Sequence, residues 1–268
     1  MRILAIESSG MSAGCAYMED GVLKGEYYLN SGLTHSCTLL PMIEQLEKTG
    51  RFHYQELDAI AVSSGPGSFT GLRIGAATAK GLALGYGIPL IGISSLKGLA
   101  ANMICPGVLI CPVMDARHGE VYGAVYTCEA AGDGFQWIPL IGDCATATDV
   151  FLEQIRMLAA KKQVRAVFLG DGVPVHKERI LSVLDDLAFF APTAVNRQRA
   201  SSIAMLGAQA FEKGELVSSD DFVPEYIRRP LAETSKEDGT LEDAGTHSLK
   251  KIAKGDFKRT KHPLSGKE

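Results

Sequence analysis

A glycine-rich turn between two regular segments constrains the fold of this chain more than any other stretch. The run Leu57–Val62 is short, apolar and β-branched towards its end, which is typical of a buried strand. Gly65 and Gly67 then flank a proline, so a fixed φ lies between two residues that are free to adopt positive φ. Ser68 offers an N-cap oxygen to the helix-like segment that follows. The stretch therefore predicts a strand, a tight turn and a helix N-terminus in succession.

This turn has two possible uses. Backbone N–H groups and a helix dipole that converge on one point can hold an anion. A second glycine-rich turn, Gly170-Asp171-Gly172, also follows an apolar run, Ala166–Leu169. The two turns together predict a phosphate or nucleotide cradle formed by Ser8, Gly65, Gly67, Ser68, Gly170 and Gly172. The alternative, which we favour, is close packing on the chain's own sheet, because the stretch lacks the features of a Walker loop and the GxGxxG spacing.

The helix after Ser68 has two different faces. At about 100° per residue, one narrow face carries small residues near its start, and its members are Gly71, Gly75, Thr78 and Leu82. The opposite face carries two cations beside apolar side chains, and its members are Arg73, Lys80 and Leu84. The first face suits close approach of another backbone, and the second faces either solvent or a partner.

Composition limits the class of protein. With 268 residues, 46% of them hydrophobic, the chain can form one large α/β unit or two lobes. A formal charge of −4 does not favour a protein that binds nucleic acid by itself. The apolar runs are too short for a signal peptide or a membrane span, which predicts a cytoplasmic protein without a membrane partner. The six cysteines form no CxxC pair, so we expect buried, reduced thiols and neither a zinc site nor disulfides.

The order of segments predicts two similar halves. The first half opens with a β-meander, whose strands are Arg2–Ile6, Ala13–Met18 and Val22–Leu29, and continues with a helix over Ser36–Lys48. The second half repeats the pattern with strands over Val108–Met114, Glu120–Thr127 and Gln136–Ile141, and with helices capped by Thr148 or Asp149 and by Ser201-Ser202. We predict an N-terminal lobe over 1–103 and a C-terminal lobe over 104–231. The polar stretch 232–268 has too few apolar residues to offset its ordering entropy, which predicts a disordered charged tail.

Several segments resemble the family that makes N6-threonylcarbamoyladenosine in tRNA, and within it the non-catalytic TsaB (YeaZ) branch. The segments that carry the resemblance are Ile3–Ser9, His35–Pro41, Ser64–Arg73, Asp115–Tyr122 and Pro224–Arg228. Ile227 departs from the pattern, because the family usually has leucine there. The tail has no recognised counterpart.

One segment separates this branch from its catalytic paralogue, the transferase TsaD. TsaD carries an HxxxH pair on a short helix, where one turn of spacing lets both imidazoles bind one metal. The matching positions here are Ser95 and Leu99, and leucine cannot coordinate a metal. The resemblance therefore implies a chain without the catalytic metal centre, that is, an accessory subunit and not an enzyme.

The resemblance also implies a fold and a role. The expected fold is the two-lobed actin/hexokinase/Hsp70-like α/β architecture, with a ribonuclease-H-like unit in each lobe. The expected role is a scaffold or activator that dimerises with TsaD while threonylcarbamoyl moves from threonylcarbamoyl-AMP to adenosine 37 of tRNA. The P-loop ATPase TsaE is the expected third partner, tRNA is reached through the complex, and a homodimer forms without the partner.

The helices after His35 and Ser68 are the expected interface in that assembly. Its predicted members are His35, Leu39, Leu40, Ile43, Thr70, Arg73, Ala77 and Lys80. No cofactor is assigned, although ATP or ADP at a lobe cleft or subunit interface fits the glycine-rich turns. Those turns also motivate the alternative function, an independently active ATP-dependent kinase of the same fold.

Overall fold

A computed structural model describes residues 1–132 and 134–227. The elements of the first half are β1 (Arg2–Glu7), β2 (Ala13–Glu19), β3 (Val22–Leu29), α1 (His35–Gly50), β4 (Ala59–Gly65), α2 (Phe69–Tyr86), β5 (Leu90–Ser94) and α3 (Ser95–Ala100). Those of the second half are β6 (Leu109–Arg117), β7 (Glu120–Ala131), β8 (Gly134–Ala147), α4 (Thr148–Lys162), β9 (Ala166–Leu169), α5 (Val173–Leu184), β10 (Ala188–Phe190) and α6 (Ala200–Glu212).

The strands form two sheets with the same connectivity. The first has the order β3-β2-β1-β4-β5 and the second the order β10-β9-β6-β7-β8. In each sheet the first three strands of the half form an antiparallel meander, and the last two pair in parallel. The predicted α/β class and the doubled pattern are confirmed.

Strand β1 shows how the core is divided. Successive side chains of a strand point to opposite faces of the sheet. In β1 both faces are covered, so its side chains are buried in two different clusters. Ile3 and Ala5 pack in a cluster with Ile203 of α6, and this cluster continues through α3 into the second sheet. Leu4 and Ile6 pack in a second cluster beneath α1 and α2. A third cluster lies between the second sheet and helices α4 and α5.

The second half departs from its predicted helices. The helix that follows the second glycine-rich turn is α5, which the sequence reasoning did not specify, and it ends before β10. Helix α6 begins at Ala200, so Ser201 does not cap it; the Ser201 N–H and hydroxyl donate to Glu26 at 3.1 and 3.0 Å. Thr148 is likewise the first residue of α4, and its hydroxyl donates to the Gly119 carbonyl at 2.9 Å. Both hydroxyl groups tie a helix to another strand or turn.

Helix α6 returns to the first sheet, although it belongs to the second half of the sequence. A methyl group on Gly207 would lie 2.5 Å from the Ala61 Cβ, so the helix backbone sits directly on β4. The two sheets lie on either side of residue 103 in sequence, and the boundaries at 103 and 231 stay predictions. The predicted tail, 232–268, lies outside the described residues.

The expectation that the cysteines are buried holds for three of the six. Cys15, Cys111 and Cys128 are buried, Cys105 and Cys144 are half-buried, and Cys37 is exposed on α1. All six are free thiols. Among the described helices, none combines the length and the apolar content that a bilayer crossing needs.

Candidate partner-binding surface and interlobe cleft

The first glycine-rich turn leads into α2 as predicted. The Ser68 hydroxyl accepts a hydrogen bond from the Gly71 N–H at 3.2 Å, so Ser68 is the N-cap. Its own N–H donates to the Ser9 carbonyl at 2.7 Å. The start of α2 is therefore fastened to the loop after β1.

The small residues of α2 serve packing within the chain. A Cβ on Gly71 would lie 2.2 Å from the Ser8 carbonyl oxygen, and one on Gly75 would lie 2.2 Å from the Ser8 hydroxyl. The Ser8 hydroxyl also donates to the Gly71 carbonyl at 2.9 Å. This close approach supports the packing alternative over a ligand role for this face.

The turn itself is enclosed by the chain's own backbone. Gly65 has a φ of +125°, and a Cβ there would lie 2.3 Å from the Glu225 carbonyl oxygen. A Cβ on Gly67 would lie 2.3 Å from the Ser9 carbonyl oxygen. The Glu225 N–H donates to the Ser64 carbonyl at 2.7 Å, which fixes the contact. Both glycines are explained by neighbouring carbonyl groups.

Several donors of the predicted phosphate cradle are engaged in hydrogen bonds within the chain. The Gly170 N–H donates to the Asn196 carbonyl at 3.0 Å, and the Gly172 N–H donates to the Val113 carbonyl at 3.1 Å. The Ser68 N–H is bonded to Ser9, and Ser8 is buried under α2. These bonds favour the packing alternative for the two turns, and the cradle stays a prediction.

A buried acid, Glu7, and a half-buried acid, Asp171, both have raised pKa values. Glu7 ends β1, and one of its carboxylate oxygens accepts from the Ser9 N–H and hydroxyl, each at 2.6 Å. Burial nevertheless raises the pKa of Glu7 to about 7. Asp171, in the second glycine-rich turn, also has a raised pKa because of burial, opposed by the charge of Arg197. The charge of Asp171 adds slightly to the rise in the pKa of Glu7, and the charge of Asp115 adds slightly to the rise in the pKa of Asp171.

Sequence reasoning assigned no role to Glu7 or to Asp171. Glu7 was visible as a carboxylate after four apolar residues of a buried strand, followed by two serines. That pattern places a charge at the carboxyl end of a central strand, where open α/β sheets carry their sites.

Further side-chain contacts lie where the two sheets meet. The Ser94 hydroxyl, at the N-cap of α3, donates to Asp143 of β8 at 2.5 Å, and Tyr126 donates to the same carboxylate at 3.1 Å. The Gln198 side chain is buried against Gly10. These contacts join the sheets through side chains of the chain itself.

The two positions of the missing histidine pair lie on α3. Ser95 and Leu99 are both fully buried, and the Leu99 Cδ2 lies 2.9 Å from where a Cβ of Gly170 would stand. Across residues 1–132 and 134–227, His, Cys, Asp and Glu side chains form no group of three that could hold a metal ion. Leu99 is a packing residue at the junction of the sheets.

The predicted interface residues divide into buried and exposed sets. Leu39 and Ile43 are at most 1% exposed and belong to the core beneath α1. Their side chains therefore do not reach the surface of this chain. His35 is half-buried, and its Nε2–H donates to the Gly10 carbonyl at 2.9 Å. The exposed members are Leu40, Thr70, Arg73 and Ala77.

A segment that the sequence reasoning did not recognise as a unit covers part of this surface. Residues 214–227 form what we call the strap. Val217 pairs with Leu90 on the edge strand β5, and Phe222 is buried in the core. The Lys80 ammonium donates to the Phe222 carbonyl at 3.0 Å, so this cation is partly engaged within the chain. The signal for the strap was its apolar and aromatic residues, among them Val217, Phe222 and Tyr226, which precede the polar stretch 232–268.

Several known proteins are similar to this chain in sequence. The sequence profile of the tRNA N6-adenosine threonylcarbamoyltransferase family, TsaD, matches residues 31–236. The tRNA threonylcarbamoyladenosine biosynthesis protein TsaB of Bacillus subtilis is 33% identical over 87% of this chain and 96% of its own length. TsaB of Escherichia coli is 30% identical, with the same two coverages. The chain belongs to the TsaB (YeaZ) family.

Solved structures show the same fold. A protein with similarity to peptidase YEAZ, from Pseudomonas aeruginosa, matches with a TM-score of 0.70 and 24% identity, over 85% of this chain and 99% of its own. YeaZ from the same organism matches with a TM-score of 0.66 and 23% identity, over 84% and 99%. The two-sheet arrangement described above is therefore the fold of the TsaB (YeaZ) family.

Proposed function

We propose that this chain is the accessory partner of a TsaD-type threonylcarbamoyltransferase in tRNA N6-threonylcarbamoyladenosine synthesis. The observation that carries the proposal is the match to TsaB proteins along nearly their whole length. The profile of the transferase itself also matches most of the chain, which supports descent from a common two-lobed ancestor. We infer that the partner moves threonylcarbamoyl from its adenylate to the tRNA adenosine, while this chain supplies a surface.

The positions on α3 support a non-catalytic role. A histidine pair there would have to replace Ser95 and Leu99, which are both fully buried between the sheets. Leu99 fills the space against Gly170, so a metal ion would have to enter a packed junction. The same junction argues against the kinase alternative, because donors in both glycine-rich turns are bonded within the chain. No observation favours that alternative.

The exposed face of α1 and α2 is the proposed docking surface. It presents Leu40 at 45% exposure and Leu84 at 73%, together with Thr70, Arg73 and Ala77. Exposed apolar side chains on adjacent helices are typical of a surface that packs against other helices. We propose that the same face pairs with a second copy when the transferase is absent, and that tRNA and TsaE join through the complex in the cytoplasm.

A reconstitution experiment tests the proposal. The purified chain should transfer no threonylcarbamoyl to tRNA by itself, and should restore transfer when added to the transferase from the same genome. Leu40→Glu should weaken binding to the transferase at least about tenfold, because a buried unpaired charge is costly at an interface. The binding is measured by isothermal titration calorimetry.

Leu181→Glu on α5 is the matched control, since Leu181 is 43% exposed on a helix of the other sheet. It should leave both binding and activation unchanged. Transfer activity of the isolated chain would refute the accessory role. Equal loss of affinity in the two variants would refute the proposed surface.

A further inference from the structure

Arg73 has an unusual setting on the exposed face of α2. Its guanidinium carbon lies 3.8 Å from the centre of the Phe69 ring, so the planar group stacks on that ring. Its Nε–H donates to the Tyr226 hydroxyl at 3.4 Å. The Tyr226 and Phe69 rings are themselves in contact, with centroids 5.1 Å apart. The side chain is exposed yet held on two sides.

The rest of the guanidinium is unengaged within the part of the chain that the structure describes. Among residues 1–132 and 134–227, neither Nη group of Arg73 has a hydrogen-bond or ion-pair partner. An arginine fork that is already stacked loses less rotamer freedom when it binds, and two parallel N–H groups match the two oxygens of a carboxylate. By contrast, Arg179 and Arg199 donate to carboxylates of the chain itself.

We propose that Arg73 is a preformed receptor for an aspartate or glutamate side chain of the partner protein. This inference rests on the proposed function, because it names one contact within that docking surface. Phe69 and Tyr226 are positioning residues: the ring carries the guanidinium, and the phenol oxygen fixes its Nε edge. The strap thus contributes to docking through Arg73, since Tyr226 belongs to it.

The surroundings favour a protein carboxylate over an RNA phosphate. The chain carries a net charge of −4, which opposes approach of a polyanion. Ala77, one turn further along α2, and Leu84 are exposed, and they suit a packed protein interface. Lys80, the nearest other cation on this face, already donates to the strap carbonyl of Phe222. A single fork beside apolar residues is the pattern of an interface anchor.

Arg73→Lys tests the fork, because it keeps the charge and removes the planar, bidentate edge. Affinity for the transferase should fall about tenfold, while the dependence of Kd on salt should change little, because the positive charge is retained. Arg156→Lys on α4 is the control, since Arg156 is exposed and pairs with Glu153 across one turn. It should bind as the wild type does.

Tyr226→Phe tests the positioning role, because it keeps the ring and removes the acceptor oxygen. We expect an intermediate loss of affinity, about threefold. The double variant Arg73→Lys with Tyr226→Phe should bind no more weakly than Arg73→Lys alone, because Tyr226 acts through Arg73. Additive losses would show that Tyr226 acts by another route, and would overturn the positioning role.

These experiments distinguish a failure of the proposed function from a failure of the inference about Arg73. If the wild-type chain does not bind the transferase, the proposed function fails and this inference fails with it. If the wild type binds and Arg73→Lys binds equally well, only the inference fails. Loss of tRNA binding by Arg73→Lys with unchanged affinity for the transferase would assign the fork to a phosphate, and would overturn the carboxylate assignment.

Discussion

Glu7 shows how a single residue sets the behaviour of the interlobe cleft. Its carboxyl group is buried at the end of β1, and burial raises its pKa from 4.5 to about 7. The folded chain therefore binds a proton that the unfolded chain releases at a lower pH. The stability contributed by this proton is fully present below pH 4.5 and is lost as the pH rises through 7.

The change Glu7→Gln should remove this pH dependence. The variant's side-chain carbonyl can still accept from Ser9, and it carries no charge to bury at high pH. Relative to the wild type, its free energy of unfolding should rise by up to about 3 kcal/mol between pH 5 and pH 8. Urea unfolding at several pH values in that range measures the difference.

Glu178→Gln, at an exposed position of α5, is the control and should follow the wild-type profile. If the free energy of unfolding varied with pH in the same way for Glu7→Gln and the wild type, the pKa of Glu7 would not be raised by folding. Both variants keep the other residues near Glu7 unchanged, so the comparison reports on the Glu7 carboxyl group.

Helix α2 shows which parts of an element could be predicted from sequence. The serine N-cap and the close approach at Gly71 and Gly75 followed from local chemistry, and the structure confirms them. The buried face could only be predicted approximately, because periodicity gives the relative phase of residues and not the direction of the sheet. Leu72, Ala76, Ala79 and Ala83 face the core, whereas Thr78 and Leu82 are only half-buried.

Two glycines of α2 provide a matched pair of substitutions. Gly75→Ala should destabilise the chain, because the new methyl group would lie 2.2 Å from the Ser8 hydroxyl, which is itself buried. Gly81→Ala should stabilise it by about 0.8–1 kcal/mol, since a Cβ there meets nothing within 4 Å and alanine favours helix. Both changes are measured by urea unfolding at one pH.

The sign of the two effects decides the role of the small residues. Stabilisation by both substitutions would mean that α2 does not lie close to Ser8. Destabilisation by both would mean that Gly81 also faces a packed surface, contrary to its exposed position.

At the scale of the whole molecule, the two meanders and the α/β class followed from sequence, but the path of the last helix did not. The doubled meander is a local pattern, and each hairpin is marked by its own turn residues. The return of α6 to the first sheet is a contact between positions about 200 residues apart, which no local periodicity encodes. The ion pair of Glu26 and Arg199 is another contact between distant positions, because it joins β3 to the start of α6.

This path leads to a prediction about the predicted N-terminal lobe. A fragment of residues 1–103 lacks α6, so one face of its sheet would expose Ile3, Ala61 and other residues that α6 covers. We expect no cooperative thermal transition for this fragment in near-ultraviolet circular dichroism, because half of its core is missing. The chain ending at Leu231 should melt cooperatively.

A fusion of residues 1–103 to 197–227 tests the reason for that failure. The Asn102 amide donates to the Arg197 carbonyl at 2.6 Å, so the two ends are adjacent and a short Gly/Ser linker can join them. The fusion restores α6 and the strap, and should regain a cooperative transition below that of the longer chain. A cooperative melt of 1–103 alone would show that the first sheet is autonomous. No transition in the fusion would show that the second sheet, and not α6, supplies the missing stability.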